Sequence, residues 1–381
     1  MRIGLVTDTY VPQVNGVTTI VRRSALALSA AGHDVAVVAP RYPGPAPGGG
    51  LPELRVRSLP FPPYPAIRLS LPPRGAVPRF LDDFVPDVVH VHTEGTLGSV
   101  GRRYALKRGI PLVTSFHTDF PRYTRHYGVA PLAPAVWKWL TWFHGPAAMT
   151  LTPGASLRDE LERRFGHATL WGRCIDTREF HPSRRNLGWR RWLAGGDDTT
   201  IVLHVGRLAP EKGLDVLIES WKVAHEHLGQ RATFVVAGEG PLRSRVTQHL
   251  PFVRELGFLP RHQLATLYAS ADLCVLPSHT ETCGLVALEA MASGIPVVAA
   301  DAGGLRESVT ERNGILVTPN DVFGFAMAIE NLVRDSARRF TLAAAARERA
   351  LERDSAREDA ELIELYTRLA TAPEGVPACA A

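Results

Sequence analysis

Residues 201–215 read IVLHVGRLAPEKGLD. Ile201–Val205 is a short apolar run broken only by His204, the pattern of a parallel strand buried on both faces. Gly206 lets the backbone turn off that strand, and helical spacing runs over Leu214–Leu228. The chain opens in the same way. An apolar strand at Ile3–Thr7 leads into the loop Asp8–Gly16, then a helix from about Val17 to Ala31 stopped by Gly32, then a strand at Val35–Ala39 closed by Pro40. Strand, helix and strand in that order imply a right-handed parallel crossover. Two such openings predict an α/β protein of two Rossmann-like, doubly wound halves.

The remaining pattern fills in both halves. Strands are expected near Leu54–Ser58 and at Val88–Val91, Leu112–Phe116 and Ala148–Leu151, with a helix over Pro131–His144. The second half adds strands at Thr233–Ala237, near Val253–Phe258, at Leu273–Leu276 and at Val297–Ala300, with helices over Gln263–Ser270 and Leu285–Ser293. The last third reads as helices over Phe323–Arg334, Arg338–Arg353 and Glu358–Leu369. Gly, Pro and clustered Arg place a linker near Gly172–Asn186. The expected domains are therefore residues 1–172 and 173–381, with the last helix able to pack back on the first. Ligands of such sheets bind beyond the carboxyl ends of the strands, so a cleft between the halves is the expected site.

Composition narrows the class. Across 381 residues, 45% are hydrophobic and 21% charged, which excludes a disordered chain and an integral membrane protein. The net charge of +5 suits an anionic ligand or surface. Cys174, Cys274, Cys283 and Cys379 form no CxxC pair, so neither a zinc site nor a disulfide framework is expected, and a reducing compartment is. The opening MRIGLVTDTY reaches Asp8 before an apolar stretch of leader length, so a cytoplasmic protein is expected.

Chemistry concentrates in the strand-to-helix loops of the second half. Arg207 and Lys212 share the loop before a helix starting near Gly213, and two cations beside a helix amino terminus suit a diphosphate. A solvated basic turn has the same spacing. After the strand at Leu273 comes PSHTETCGLVALEAMASGIPVV, residues 277–298. Glu281 lies on the loop, Gly284 opens a helix that begins with Leu285, and Glu289 lies within it. One carboxylate can accept hydrogen bonds from sugar hydroxyls and the other from a ribose. Alternatively, Glu281 is a capping carboxylate favoured by the helix dipole. AGEGPLR, residues 237–243, places Arg243 where a dinucleotide fingerprint needs its third Gly, so a dehydrogenase is disfavoured. No D-x-D stands on a strand-end loop, and Asp82–Asp83 falls in a helical stretch, so no metal and no cofactor are expected.

GRLAPEKG followed by E-x7-E resembles the nucleotide-sugar transferases of glycosyltransferase family 4. The resemblance runs through nearly the whole chain. It implies the GT-B fold, two Rossmann-like domains facing across a cleft, and a retaining reaction. In that family, residues matching Arg207 and Lys212 bind the donor diphosphate, that matching Glu281 contacts the donor sugar, and that matching Glu289 the ribose. TDTYVPQVNGVTTIVRRSA, residues 7–25, resembles the family's first strand, loop and helix, with Gly16 at the loop glycine that admits the ligand to the backbone. SFHTDFPRYTRHYG, residues 115–128, is similar to GDP-mannose-dependent mannosyltransferases and to related sulfoquinovosyl and glucosyl glycolipid synthases. There His117, beside Thr118 and Asp119, matches the histidine that contacts the donor sugar. WGRCIDTREFHP, residues 171–182, resembles the interdomain segment, with Cys174 for a usual glycine; Cys283 replaces a usual phenylalanine after Glu281.

The resulting expectation is a metal-independent hexosyltransferase with His117, Glu281, Arg207 and Lys212 as catalytic residues. Gly16, Gly284, Leu285 and Glu289 join Arg207 and Lys212 in binding the donor. The expected partners are a nucleotide-sugar donor, GDP-mannose by resemblance, and a sugar or glycolipid acceptor, with no nucleic acid. A UDP-sugar-dependent glycolipid synthase and a nonhydrolysing nucleotide-sugar epimerase are the alternatives. AVWKWLTWFH, residues 135–144, with Arg122, Arg125 and His126 upstream, raises peripheral contact with the inner face of the cell membrane. On a helix those rings spread round more than one face, so some of them belong to the core.

Overall fold

A computed structural model describes residues 1–13, 15–44, 50–61, 64–117, 121, 130–196, 198–281 and 283–371. The chain divides into two compact units, Met1–Gly172 together with the chain from Ala356, and Arg173–Ser355.

In the first unit, β1 (Arg2–Val6), α1 (Gly16–Ala30), β2 (Asp34–Pro40) and β3 (Glu53–Val56) are followed by a hairpin of β4 (Ser58–Phe61) and β5 (Tyr64–Ser70). Then come α2 (Ala76–Phe84), β6 (Val88–Val91), α3 (Thr96–Arg108), β7 (Leu112–Ser115), α4 (Ala133–His144), β8 (Met149–Thr152), α5 (Ala155–Phe165) and β9 (Ala168–Leu170). Seven strands make one parallel sheet in the order β3-β2-β1-β6-β7-β8-β9. The order reverses between β1 and β6, which is where a doubly wound sheet takes its ligands. The single strand expected near Leu54–Ser58 is instead β3 and the start of the hairpin. A two-stranded ribbon outside the main sheet carries no buried apolar run, and a Pro-rich stretch hides it from pattern reading.

The second unit repeats the plan. It contains α6 (Leu187–Ala194), β10 (Thr200–Val205), α7 (Leu214–Leu228), β11 (Ala232–Ala237), α8 (Arg243–His249), β12 (Arg254–Glu255) and α9 (Arg261–Ser270). These are followed by β13 (Leu273–Leu276), α10 (Leu285–Ala292), β14 (Val297–Ala300), α11 (Gly303–Ser308), β15 (Gly314–Val317), α12 (Val322–Arg334) and α13 (Ser336–Leu351). The parallel order is β12-β11-β10-β13-β14-β15, again reversing beside the first strand. Strand β10 is buried throughout: Ile201, Leu203 and Val205 join the layer containing Phe180, Tyr268 and Met291, and Val202 the layer containing Trp221 and Phe325. That two-sided burial is why its sequence is continuously apolar.

Residues 173–186, expected as a linker, are fastened into the second unit. Phe180 is fully buried against Tyr268, and Arg347 donates to the carbonyls of Phe180 at 3.0 Å and Thr177 at 3.1 Å. Pro and Arg here mark irregular backbone, but its carbonyls are held by a partly buried guanidinium. The last helix, α14 (Ser355–Thr371), groups with the first unit, so residues 173–381 do not close as one unit. Tyr366 Oη lies 2.5 Å from His90 Nδ1, whose Nε2 lies 2.7 Å from Ser115 Oγ. Arg23 pairs with Glu358 and Asp359 of the same helix at 3.4 and 3.2 Å.

At the reversal point of the first sheet, Asp8 is half-buried against the amino terminus of α3. Its carboxylate accepts the Leu97 and Gly98 N–H groups at 2.9 and 3.1 Å and the Thr93 hydroxyl at 2.9 Å. A Cβ on the N-cap, Gly95, would lie 2.5 Å from the Asp8 carboxyl, so the approach requires glycine. Burial pushes the Asp8 carboxyl above the usual range and these hydrogen bonds pull it back. Asp8→Ala would strand two N–H donors, and urea unfolding of the intact chain should show a loss of about 1–3 kcal/mol; Asp8→Asn, which keeps an acceptor oxygen, should lose less.

His90 in β6, His92 just after it and His117 after β7 set an acid limit. Burial holds His90 and His92 well below the usual imidazole range, with neighbouring histidines adding to the effect, and lowers His117 to about 4. Each depressed imidazole is neutral in the native state, so the unfolded chain takes up its proton first. Their contribution to stability is whole above pH 6.5 and is lost as pH falls toward 4, each site contributing about 1.4 kcal/mol per pH unit. The melting temperature should therefore fall between pH 6.5 and 5, and His92→Phe should make that fall shallower.

Candidate active site

In the second unit, loops from three strands interlock beyond the carboxyl end of the sheet. After β10, Gly206 N–H donates to the Ala237 carbonyl at 3.1 Å and Leu208 N–H to that of Glu239 at 2.9 Å. The glycine at 238 is required by this approach: its φ is +148°, and a Cβ there would stand 1.9 Å from the Gly206 carbonyl oxygen. The G-x-G after β11 thus serves loop-on-loop packing. From the loop after β13, the Ser278 and Thr280 hydroxyls both donate to the Glu211 carbonyl, at 3.0 and 2.9 Å. These ties carry Lys212 to Glu281.

Lys212 Nζ donates to Glu281 Oε1, and both side chains are mostly but not wholly buried. Arg207 is exposed on the same loop as Lys212. Glu281 is held by its backbone as well, its carbonyl accepting the Gly304 N–H at 2.7 Å. Gly284, φ +67°, is the N-cap of α10 and brings no side-chain oxygen to that helix, whose first residue is Leu285. A helix amino terminus without a side-chain cap is suited to an anion.

Glu289 stands apart from the Lys212–Glu281 pair. Its carboxylate accepts the Tyr268 hydroxyl at 3.1 Å and lies 3.4 Å from the Arg261 guanidinium. Burial raises it to about 7, against the pull of Arg261 and Tyr268. His204, near the end of β10, is buried with Nδ1 2.9 Å from the Val275 carbonyl. Burial lowers it to about 4, and Lys212 adds to that, so it brings no charge to the loop at neutral pH.

The first unit carries the other two expected site residues. His117 follows β7 and is stacked on His92, with centroids 5.9 Å apart and planes 12° apart; Trp171 lies 6.2 Å away. Thr118 and Asp119 beside it, and Arg122, Arg125, His126 and Cys379, lie outside the described residues. Gly16 is the first residue of α1, exposed, and next to the N-cap Asn15, whose Oδ1 accepts the Thr18 N–H at 2.8 Å. Asn15 also donates to Thr9 Oγ1 at 2.9 Å, which fastens the loop from β1 to the helix. Cys174 is buried and Cys283 half-buried, and neither forms a disulfide among the described residues.

Sequence reading singles out neither Asp8 nor the tie from Gly304 to Glu281. An Asp after a strand is the only linear sign of the first. The second is a backbone contact between distant loops, and its only trace is the pair Gly303–Gly304 opening α11.

Two family models cover the chain in succession. Glycosyltransferase Family 4 matches residues 14–179, and Glycosyl transferases group 1 matches residues 199–335. A GDP-mannose-dependent alpha-mannosyltransferase of Mycolicibacterium smegmatis is 38% identical over 337 residues, 86% of this chain and 87% of the relative. A sulfoquinovosyl transferase of Arabidopsis thaliana is 32% identical over 83% of this chain and 63% of its own length. Among solved structures, sucrose-phosphate synthase from Thermosynechococcus elongatus superimposes with a TM-score of 0.77 at 23% identity, covering 97% of this chain and 99% of the other. That likeness shows the fold, GT-B. Since a relative 38% identical is matched over most of both chains, and the two family models match residues 14–179 and 199–335, this chain belongs to glycosyltransferase family 4.

Proposed function

We propose that this enzyme transfers a mannosyl unit from GDP-mannose, with retention and without a metal ion, to a lipid-linked or other glycan acceptor. The mycobacterial relative's donor supports the choice of GDP-mannose. What supports the site assignment is the Lys212–Glu281 pair, which joins the loop carrying Arg207 to the loop leading into the capless amino terminus of α10, groups that would share one diphosphate. In the reaction, the bond between the sugar's anomeric carbon and the β-phosphate oxygen breaks. A bond to the acceptor oxygen forms on the same face, and the acceptor's proton passes to the departing phosphate. Arg207, Lys212 and the α10 amino terminus oppose the charge that develops on that phosphate. Lys212 meets the diphosphate while its neighbour Glu281 accepts hydrogen bonds from the sugar. Glu289 takes the ribose hydroxyls, its carboxylate fixed by Tyr268 and Arg261. Neutral His117 offers a ring nitrogen to a sugar hydroxyl.

The same reading includes contact with a membrane surface through α4. No helix among the described residues is long and apolar enough to cross a membrane. The helix divides its rings: Phe143 is fully buried and Trp137 stacks on Phe116, with the Arg164 guanidinium 3.8 Å from its ring centroid. Trp139 and Trp142 remain 37% and 49% exposed, with Lys138 on the same helix and the Arg102 guanidinium 4.1 Å from the Trp142 ring centroid. Exposed indoles with nearby cations suit the interface of an anionic bilayer.

Lys212→Ala should weaken GDP about ten- to a hundredfold by calorimetry, the value of a charge-assisted contact. Glu281→Gln should cut turnover while leaving GDP affinity nearly whole; the reverse pattern would exchange the two roles. A melting-temperature panel should rank GDP-mannose and GDP above UDP and its sugars, and turnover should survive excess EDTA. Loss of activity that magnesium or manganese restores would refute the cation clamp.

Sedimentation with anionic liposomes at low salt, released at high salt, should be reduced by Trp139→Ala and Lys138→Glu without a large change in melting temperature. Equal sedimentation of both variants would remove α4 from the surface.

A further inference from the structure

Arg173 is the first residue of the second unit, and its side chain is only 5% exposed. NH1 donates to Glu307 Oε2 at 2.6 Å and NH2 to the Gly304 carbonyl at 3.2 Å. Both partners belong to α11. The same Gly304 gives its N–H to the Glu281 carbonyl at 2.7 Å. Gly284 packs on the same turn, where a Cβ would stand 3.3 Å from Leu305 Cδ2 and 3.6 Å from the Gly304 carbonyl carbon. Leu305 is fully buried. One guanidinium therefore holds the short helix on which both the backbone of Glu281 and the N-cap of α10 rest. Helix α11 has only six residues, and helices that short gain little stability of their own. Its place depends on what grips it, and a planar guanidinium that bonds a carboxylate and a carbonyl together fixes orientation as well as distance.

We propose that Arg173 is a positioning residue for the donor loop: acting through Glu307 and Gly304, it sets the backbone of Glu281 and so aims that carboxylate at the donor sugar. This rests on the assignment of Glu281 to the sugar. The cations assigned to the diphosphate, Arg207 and Lys212, lie on a different loop, whose Glu211 carbonyl is tied to Ser278 and Thr280 rather than to α11; of the diphosphate groups only the α10 amino terminus meets α11, through the packing of Gly284. Loss of Arg173 should therefore blunt turnover more than nucleotide affinity. A purely structural role would lower both together with the melting temperature.

The test measures GDP release from GDP-mannose with an alkyl mannoside acceptor, GDP affinity by calorimetry, and melting temperature. It compares the wild type with Arg173→Lys, Arg173→Met, Glu307→Gln, Glu281→Gln and the double variant Arg173→Lys/Glu281→Gln. Displacement of an orienting group by an ångström is worth up to about a hundredfold in rate. Arg173→Met and Glu307→Gln should lose roughly ten- to a hundredfold in kcat with GDP affinity within about twofold, and Arg173→Lys should recover part of that loss. On the Glu281→Gln background, Arg173→Lys should have almost no further effect, because the group it positions has been changed. Arg173→Met and Glu307→Gln with wild-type kcat would overturn the proposal, as would losses in kcat matched by losses in GDP affinity and melting temperature, or full additivity in the double variant. If Arg173→Met does not fold, Glu307→Gln and Arg173→Lys decide the matter. If the wild type releases no GDP, or Glu281→Gln turns over like the wild type, the donor reading itself fails; a damaged Glu281→Gln beside unaffected Arg173 variants refutes the positioning role alone.

Discussion

Helix amino termini at the reversal point of each sheet have to be satisfied, and the two units do this in opposite ways. The second residue after the first strand is Asp8 in one unit and Arg207 in the other. Asp8 supplies a carboxylate to the amino terminus of α3 and fills the place an anion would take. In the second unit the corresponding helix, α10, begins at a glycine, and Lys212 pairs with Glu281 on the loop that leads into it. One architecture thus yields a helix capped by a carboxylate from the same unit and a helix left without a side-chain cap.

Charge is managed by burial elsewhere. His90, His92, His117 and His204 are all kept neutral by desolvation, whereas Lys212 and Glu281 remain partly open to solvent and paired. A neutral imidazole can face a sugar without competing for the diphosphate, and a Lys–Glu pair can exchange its internal contact for ligand contacts without leaving a bare charge behind. Glu289 shows the other extreme: raised to about 7, its carboxylate depends on Tyr268 and Arg261 for the hydrogen bonds that burial removes.

Much of this was legible without coordinates. Continuous apolar runs mark strands buried on both faces, so Val88–Val91, Leu273–Leu276 and Val297–Ala300 coincide with the observed β6, β13 and β14. The β4–β5 hairpin and the edge strand β9 escaped because edge and ribbon strands need no such run. The helix α4 illustrates the limit within a single element: WKWLTWF shows aromatic residues at every face, and only packing reveals that Phe143 and Trp137 turn inward while Trp139 and Trp142 do not.

The sequence by itself determined the doubly wound class, the loops that carry chemistry and the residue types in them, because strand burial and loop charge are written locally. The tertiary structure alone decided which of those residues meet. Lys212 and Glu281 come together through the ties of Ser278 and Thr280 to Glu211, Glu289 goes instead to Tyr268 and Arg261, and α14 joins the first unit through Tyr366 and His90. Those pairings depend on backbone carbonyls and on the register of parallel strands, which bring together residues far apart in the chain and leave no periodic signal along it.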